Sequence, residues 1–391
     1  MKIVAFLGET FQLENNNYVS MPPNARFLQL TFGENNVKII SPVSESIKRV
    51  KVQNSKIKPS HFYTAPMPAH CSTKDFYKKA LFQKGFYRNF ISYCDRIIDD
   101  NPNSIFWART PSPGSVIFAL RVVNRKKDLI HHICGDAKET WRDNKYKGIF
   151  KIIAFLFSKI VLTQQKKIIS YEKTINLTSG SKLFNFSKKY SLKTHQFLDV
   201  ISNGATKNHN IVNNTFVFTF IGRIVDDKGI FELVDAFEEV SQNNDLKCVL
   251  HIIGDGPDFN KLESFISLKK LNNEIKLFGI KSHHEISDFL LKSSCVVIPS
   301  KTNEGFPRVI FEAWAHLVPV IVSNIGGISA FVSNEHNSLV VKPGSINDLK
   351  IAMIKIMKPQ FREAIVKNII LNHKISTQKY WSSTLLRILK K

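Results

Sequence analysis

Four short glycine-bearing clusters in the second half of the chain, three of them with charged residues, suit a phosphorylated ligand. Gly222-Arg223 is followed by Asp227-Lys228-Gly229 and then by a stretch with helical spacing. A glycine lets main chain approach a ligand closely, and two cations at the mouth of a helix N-terminus suit a diphosphate. Gly254-Asp255-Gly256-Pro257, then Phe278-Gly279-Ile280, then Asn303-Glu304-Gly305-Phe306-Pro307 repeat the theme, and Glu312 lies one to two helical turns beyond. Pro307 suits the first turn of a helix, where its missing N–H has no partner to lose. Taken singly each cluster is an ordinary turn signal. What carries information is that each one closes a run of apolar, β-branched residues.

Those runs are 216–221, 248–253, 275–278, 295–298, 319–322 and 339–341, and helical patterns fill 230–240, 260–271, 284–291 and 308–316. Alternation at this spacing predicts a parallel, doubly wound α/β sheet. Near-continuous apolar strands predict that both of its faces are covered. The first half repeats the pattern less cleanly, with strands expected at 3–7, 37–40, 104–108, 129–133 and 174–177. The polar stretch 202–214 reads as a linker. Two Rossmann-like domains, 1–204 and 205–372, facing a central cleft, are therefore expected. In such folds ligands bind outside the carboxyl ends of the strands, where the clusters fall.

The 391 residues are 43% hydrophobic and 22% charged, which excludes disorder as the main state. The most apolar stretch, 149–162, is interrupted by Lys151 and Lys159 and is too short to span a bilayer. No signal peptide is visible at the N-terminus. Cys71, Cys94, Cys134, Cys248 and Cys295 are scattered without CxxC spacing, against a disulfide framework and against a zinc site. A cytoplasmic protein with no metal is expected. The net charge of +23 is uneven. Residues 1–200 hold 32 Lys and Arg against 14 Asp and Glu, a balance of +18, whereas 201–350 balance at −3 and 351–391 at +8. A basic first half wants an anionic partner, such as a phosphorylated acceptor, anionic lipid or nucleic acid.

Residues 216–345 resemble the nucleotide-sugar-binding half of family 4 glycosyltransferases, which have the GT-B fold. The segments that carry the resemblance are FTFIGRIVDDKGIFELVDAF, LHIIGDGP, IKLFGI and PSKTNEGFPRVIFEAWAHLVPVIVSNIGG; the last holds the family's Glu-x7-Glu pair as Glu304 and Glu312. The resemblance implies a retaining, metal-independent glycosyltransferase with no cofactor beyond its nucleotide-diphosphate sugar, UDP- or GDP-linked. It implies that Arg223 and Lys228 hold the donor diphosphate and that Glu304 binds hydroxyls of the transferred sugar. Glu312 would accept from the ribose. Gly279 and Ile280 would lie against the base, and the main chain of Gly222, Gly254, Gly305 and Phe306 would line the donor. The tail 373–391 would pack back on the first domain. Where the family usually has Gly in the turn after the second glutamate's helix, this chain reads His316-Leu317-Val318-Pro319.

By the same resemblance the first domain would hold the acceptor, a lipid-linked glycan in bacterial surface polysaccharide or lipopolysaccharide synthesis. Relatives often place a His or Asp near the reacting sugar at the position of Ile130-His131-His132-Ile133-Cys134-Gly135-Asp136, which marks Asp136 first and His132 second. Read as structure, one of two adjacent histidines faces the core and Asp136 caps a helix. Arg109 follows the strand expected at 104–108 and suits either an acceptor phosphate or a solvated surface position. Two aromatic and basic segments, 76–97 and 149–167, suit an anionic membrane surface or the domain core. Other readings are a soluble glucan synthase, a nucleotide-sugar epimerase, or a non-enzymatic binder of anionic surfaces or nucleic acid. No nucleic-acid motif is present, so no nucleic-acid partner is expected.

Overall fold

The computed structural model describes residues 1–44, 52–63, 67, 73–138, 141, 148–202, 215–242, 247–302 and 306–390. By contacts the chain divides into two compact units, Met1–Asp199 and Val200–Lys391. The division falls ahead of the expected 204/205 boundary. Apart from Ser202, the expected linker lies almost wholly outside the described residues.

The first unit has strands β1 (Ile3–Phe6), β2 (Gln12–Glu14), β3 (Asn17–Ser20), β4 (Val37–Ile40), β5 (Ser55–Ile57), β6 (Ile105–Thr110), β7 (Leu129–Ile133), β8 (Thr174–Thr178) and β9 (Thr194–Gln196). Its helices are α1 (Asn24–Phe32), α2 (Thr73–Phe82), α3 (Phe86–Asp99), α4 (Pro113–Asn124), α5 (Ile149–Ile169) and α6 (Ser181–Lys188). Six strands form a parallel sheet in the order β4-β1-β6-β7-β8-β9. Strands β2, β3 and β5 form a small antiparallel sheet. Every residue of β1 and of β7 is buried, as expected for a sheet covered on both faces. Ser112 caps α4 by accepting from the Ser115 N–H, and Pro113 occupies the first turn. Arg121 on α4 holds Asp95 on α3 through two 2.7 Å hydrogen bonds. The 76–97 stripe is two helices, because the chain turns at Gly85 with φ +82°. Phe86, Phe90 and Cys94 face the core and Phe82 is exposed.

The second unit has β10 (Phe216–Ile221), β11 (Cys248–Ile253), β12 (Ile275–Leu277), β13 (Cys295–Ile298), β14 (Val320–Ser323) and β15 (Leu339–Val341). Its helices are α7 (Ile230–Gln242), α8 (Phe259–Leu268), α9 (His283–Lys292), α10 (Val309–Ala315), α11 (Ile346–Met357), α12 (Pro359–Leu371) and α13 (Gln378–Leu389). The parallel order is β12-β11-β10-β13-β14-β15. The chain winds outward one way from β10 and then resumes on its other side at β13. Leu317 takes φ +57°, a left-handed conformation where a side chain is strained. In the tail, Trp381 of α13 donates to the Ile375 carbonyl at 2.7 Å, and its ring packs against Phe311 and Phe331 of this unit. Gln378 N–H donates to the Ser202 carbonyl at 2.8 Å.

Candidate functional site

The strand order reverses between β10 and β13, and the crevice outside such a reversal is where doubly wound sheets take ligands. The loops that leave the sheet there are laced to one another by main chain. Gly222 N–H donates to the Ile253 carbonyl (3.0 Å), Ile224 N–H to that of Asp255 (3.0 Å) and Gly254 N–H to that of Gly279 (2.9 Å). On the other side of β10, Lys301 N–H donates to the Asp227 carbonyl at 2.7 Å. Gly254 makes the closest passage: its φ is +148°, and a Cβ there would sit 1.8 Å from the Gly222 carbonyl oxygen. Gly254→Ala should therefore cost roughly 1–3 kcal/mol of stability, read as a lowered denaturation midpoint, because backbone rather than a flexible side chain must give way.

Arg223 is exposed at the end of β10 and makes no hydrogen bond or ion pair among the described residues. Lys228 closes the short helical turn Asp226–Lys228, and Gly229 leads directly into α7. The turn is fixed by Lys301, whose Nζ donates to Asp226 and to Glu232 at 2.8 Å each. Burial pulls the Lys301 pKa down, but the two carboxylates outweigh it and hold it above the usual lysine value. Lys301 was not singled out from the sequence, where it reads as one more surface lysine after a strand.

Gly279 takes φ +65° with open space where a Cβ would stand, so the left-handed turn leaves room above the Gly279-Ile280 main chain. Phe306 is buried against the rings of Phe311 and Phe331. Its side chain anchors the segment before α10 to the core. Glu304 and Gly305 lie outside the described residues. Glu312 is on α10, with Oε1 4.0 Å from His283 Nε2 at the start of α9. Its carbonyl accepts from His316 Nδ1–H at 2.8 Å, and burial keeps the His316 pKa below the ordinary histidine value. His283 is a second residue that sequence reasoning passed over; its only signal is its place after Ser282, which caps α9 in a reciprocal box with Glu285.

In the first unit the equivalent reversal lies between β1 and β6. Glu9, after β1, accepts from Ser20 Oγ at 3.2 Å and from Asn24 Nδ2. Arg109, near the end of β6, has Nε 3.5 Å from Asp199. Asp199 and Glu9 both act on the Arg109 guanidinium through their charge; of the three, the sequence marked Arg109. Asp136 lies 2.9 Å from Lys182 Nζ and accepts the Lys138 N–H at 3.0 Å, a turn cap. His132 is fully buried, its ring edge-on to Trp107 and Phe197, with Nε2 3.4 Å from Ser179 Oγ.

His131, on the opposite face of β7, is also fully buried. Its Nδ1 is 3.2 Å from Asn176 Oδ1 and its Nε2 is 2.9 Å from Thr110 Oγ1. Asn176 Nδ2 donates to the Ile169 carbonyl at 3.1 Å, and Gln165 Nε2 donates to Thr110 Oγ1 at 3.2 Å. The carboxamide oxygen of Asn176 can only accept, so Nδ1 carries the proton and Nε2 accepts from the Thr110 hydroxyl. Burial drives the His131 pKa down to about 4, against a smaller upward pull from Asn176.

Residues 204–371 match the protein family described as Glycosyl transferases group 1. Among curated proteins the chain is similar to an uncharacterised glycosyltransferase of Methanocaldococcus jannaschii, 30% identical over 236 residues, which cover 60% of this chain and 61% of the relative. It is 25% identical over 250 residues to UDP-Gal:alpha-D-GlcNAc-diphosphoundecaprenol alpha-1,3-galactosyltransferase of Escherichia coli, with 61% of this chain and 62% of that one covered. The alignments thus span about three fifths of the length of these two relatives. Among solved structures it is similar to Anabaena HepE in complex with UDP, with a TM-score of 0.66 at 15% identity over 100% of this chain and 98% of that one. At that identity the likeness is one of fold, and the fold is GT-B: two Rossmann-like α/β units in one chain.

Proposed function

Taking residues 204–371 as a glycosyl transferases group 1 region, we propose that the chain moves a sugar from a nucleoside-diphosphate donor to a glycan acceptor with retention of anomeric configuration. The observation that carries the reading is the setting of Gly222-Arg223 and Lys228-Gly229 beside the β10/β13 reversal, at the N-terminal mouth of α7. As the glycosidic bond breaks, negative charge grows on the departing diphosphate. Two cations and the positive end of α7 meet that charge without reorganising. Lys301 keeps the turn in place from behind. Glu304 takes hydroxyls of the transferred sugar, Glu312 the ribose, and the main chain at Gly279-Ile280 the base. In a front-face mechanism the leaving phosphate oxygen assists removal of the acceptor's hydroxyl proton, with Asp136 and His132 the acceptor-side candidates in the first unit. The diphosphate charge is met by protein cations rather than by a metal ion.

The UDP held by Anabaena HepE supports a UDP-linked donor. The diphosphoundecaprenol in the name of the Escherichia coli relative supports a lipid-linked acceptor and a role in surface polysaccharide synthesis at the cytoplasmic face of the membrane. Calorimetric titration with UDP, GDP and ADP tests the donor reading. One of the first two should bind, and Arg223→Ala should weaken it about tenfold or more. Absence of binding to every nucleoside diphosphate overturns the reading. Turnover should persist in excess chelator, and NMR of the product should show the anomeric configuration of the donor.

A further inference from the structure

Helix α5 turns large apolar side chains outward. Ile152 is 62% exposed, Ile153 40%, Phe155 37%, Leu156 56% and Ile160 52%. At about 100° per residue these positions occupy roughly half of the helix circumference. The other side, with Val161, Gln165 and Ile168, is buried. Exposed Lys151 and Lys159 stand in and beside the apolar arc, Lys159 over the Phe155 ring at 5.1 Å. The helix, IFKIIAFLFSKIVLTQQKKII, carries four lysines and no acid.

The face continues onto α2. Tyr77 stacks on Phe157 with ring centroids 4.1 Å apart. One turn beyond Tyr77 is Leu81, 68% exposed, and next to it Phe82, 82% exposed. Exposed Lys78, Lys84 and Arg88 flank them. Ile153 and Ile160 lie about one turn to either side of Phe157, so the ring stack joins the two exposed sets.

We propose that this α2–α5 face docks on an anionic lipid bilayer, its aliphatic and aromatic side chains at the headgroup boundary and its ammonium groups on lipid phosphates. Apolar depth with interleaved positive charge is the complement of such a surface. Among the described residues no helix is long and apolar enough to cross a membrane, so α5 lies along the surface. Gln165, on the buried side of α5, donates to Thr110 at the end of β6, which ties the docking helix to the strand end that carries Arg109. The surface stands apart from the donor-site reading, since every residue in it belongs to Met1–Asp199.

The test is co-sedimentation of the full chain, without nucleotide, on phosphatidylcholine vesicles and on mixed phosphatidylcholine–phosphatidylglycerol vesicles. The chain should bind the mixed vesicles and release from them at high salt. The pairs Leu156→Ser with Ile160→Ser, and Lys151→Glu with Lys159→Glu, should each lower partitioning about tenfold or more. All four positions are exposed, and an unchanged melting temperature shows that each variant is folded. No binding to mixed vesicles, or equal binding by the wild type and both variants, overturns the proposal. Loss of self-association in the Leu156→Ser, Ile160→Ser variant, with no vesicle binding by the wild type, would make the face a contact between copies and equally overturn it.

Discussion

Replacing Arg223 by alanine is expected to lower sugar transfer by about two orders of magnitude or more, as loss of one group aimed at developing charge does elsewhere. The chain does not depend on Arg223 for its fold. The side chain is exposed and makes no hydrogen bond or ion pair among the described residues, so a melting temperature within a degree or two of wild type should accompany the kinetic loss. Before the donor binds, water screens this cation; once the diphosphate covers it, the same charge acts at short range in a drier setting. The loss should therefore fall mainly on kcat, with KM for the donor rising less. Lys228→Ala should behave alike in direction. Near-wild-type turnover in both variants would remove the charge-clamp assignment. A rise in KM alone would limit these residues to holding the ground state.

The second large effect is on stability. His131 is neutral in the fold, with its pKa near 4, and titrates near 6.5 when the chain unfolds. Between these values the unfolded chain binds a proton that the folded chain refuses, so stability falls as pH drops through that window and is complete above it. The full difference amounts to about 3 kcal/mol, with about 2 kcal/mol gone by pH 5. His251 and His316, also lowered by burial, act in the same direction. Hydrogen exchange at the β7 amides, Leu129–Ile133, reads the effect where it arises. The opening free energy there should be lower at pH 5 than at pH 7.5, and His131→Gln should flatten that slope. An unchanged slope in the variant would place the proton uptake elsewhere.

The second sheet was legible because its strands are buried on both faces and so read as unbroken apolar runs. β10, β11, β13 and β15 fall where the pattern places them. β14 is displaced by one residue because Pro319 cannot join the ladder by its nitrogen. In the first unit β2, β3, β5 and β9 escaped notice; each is three or four residues long, and several carry polar side chains, so no periodicity develops. The His131-His132 pair illustrates another limit. Alternation along a strand separates the two rings to opposite faces, but a pattern cannot say that both faces are covered. Only the packing of Trp107 and Phe197 on one side, and the Thr110–Asn176 network on the other, shows where each ring goes. Likewise Phe82, Phe86, Phe90 and Cys94 share a helical spacing in sequence, yet the turn at Gly85 splits the set and leaves Phe82 outside.

The lacing of the loops around β10 has an evolutionary consequence. Those contacts are made by amide hydrogens and carbonyl oxygens, which nearly every residue type supplies. Apart from a few glycines, the frame places little demand on the identity of exposed side chains such as Arg223. Mutation can therefore sample new chemistry at this rim while the scaffold persists, and descendants of one ancestor can diverge in the donor they handle without first losing and regaining a folded state.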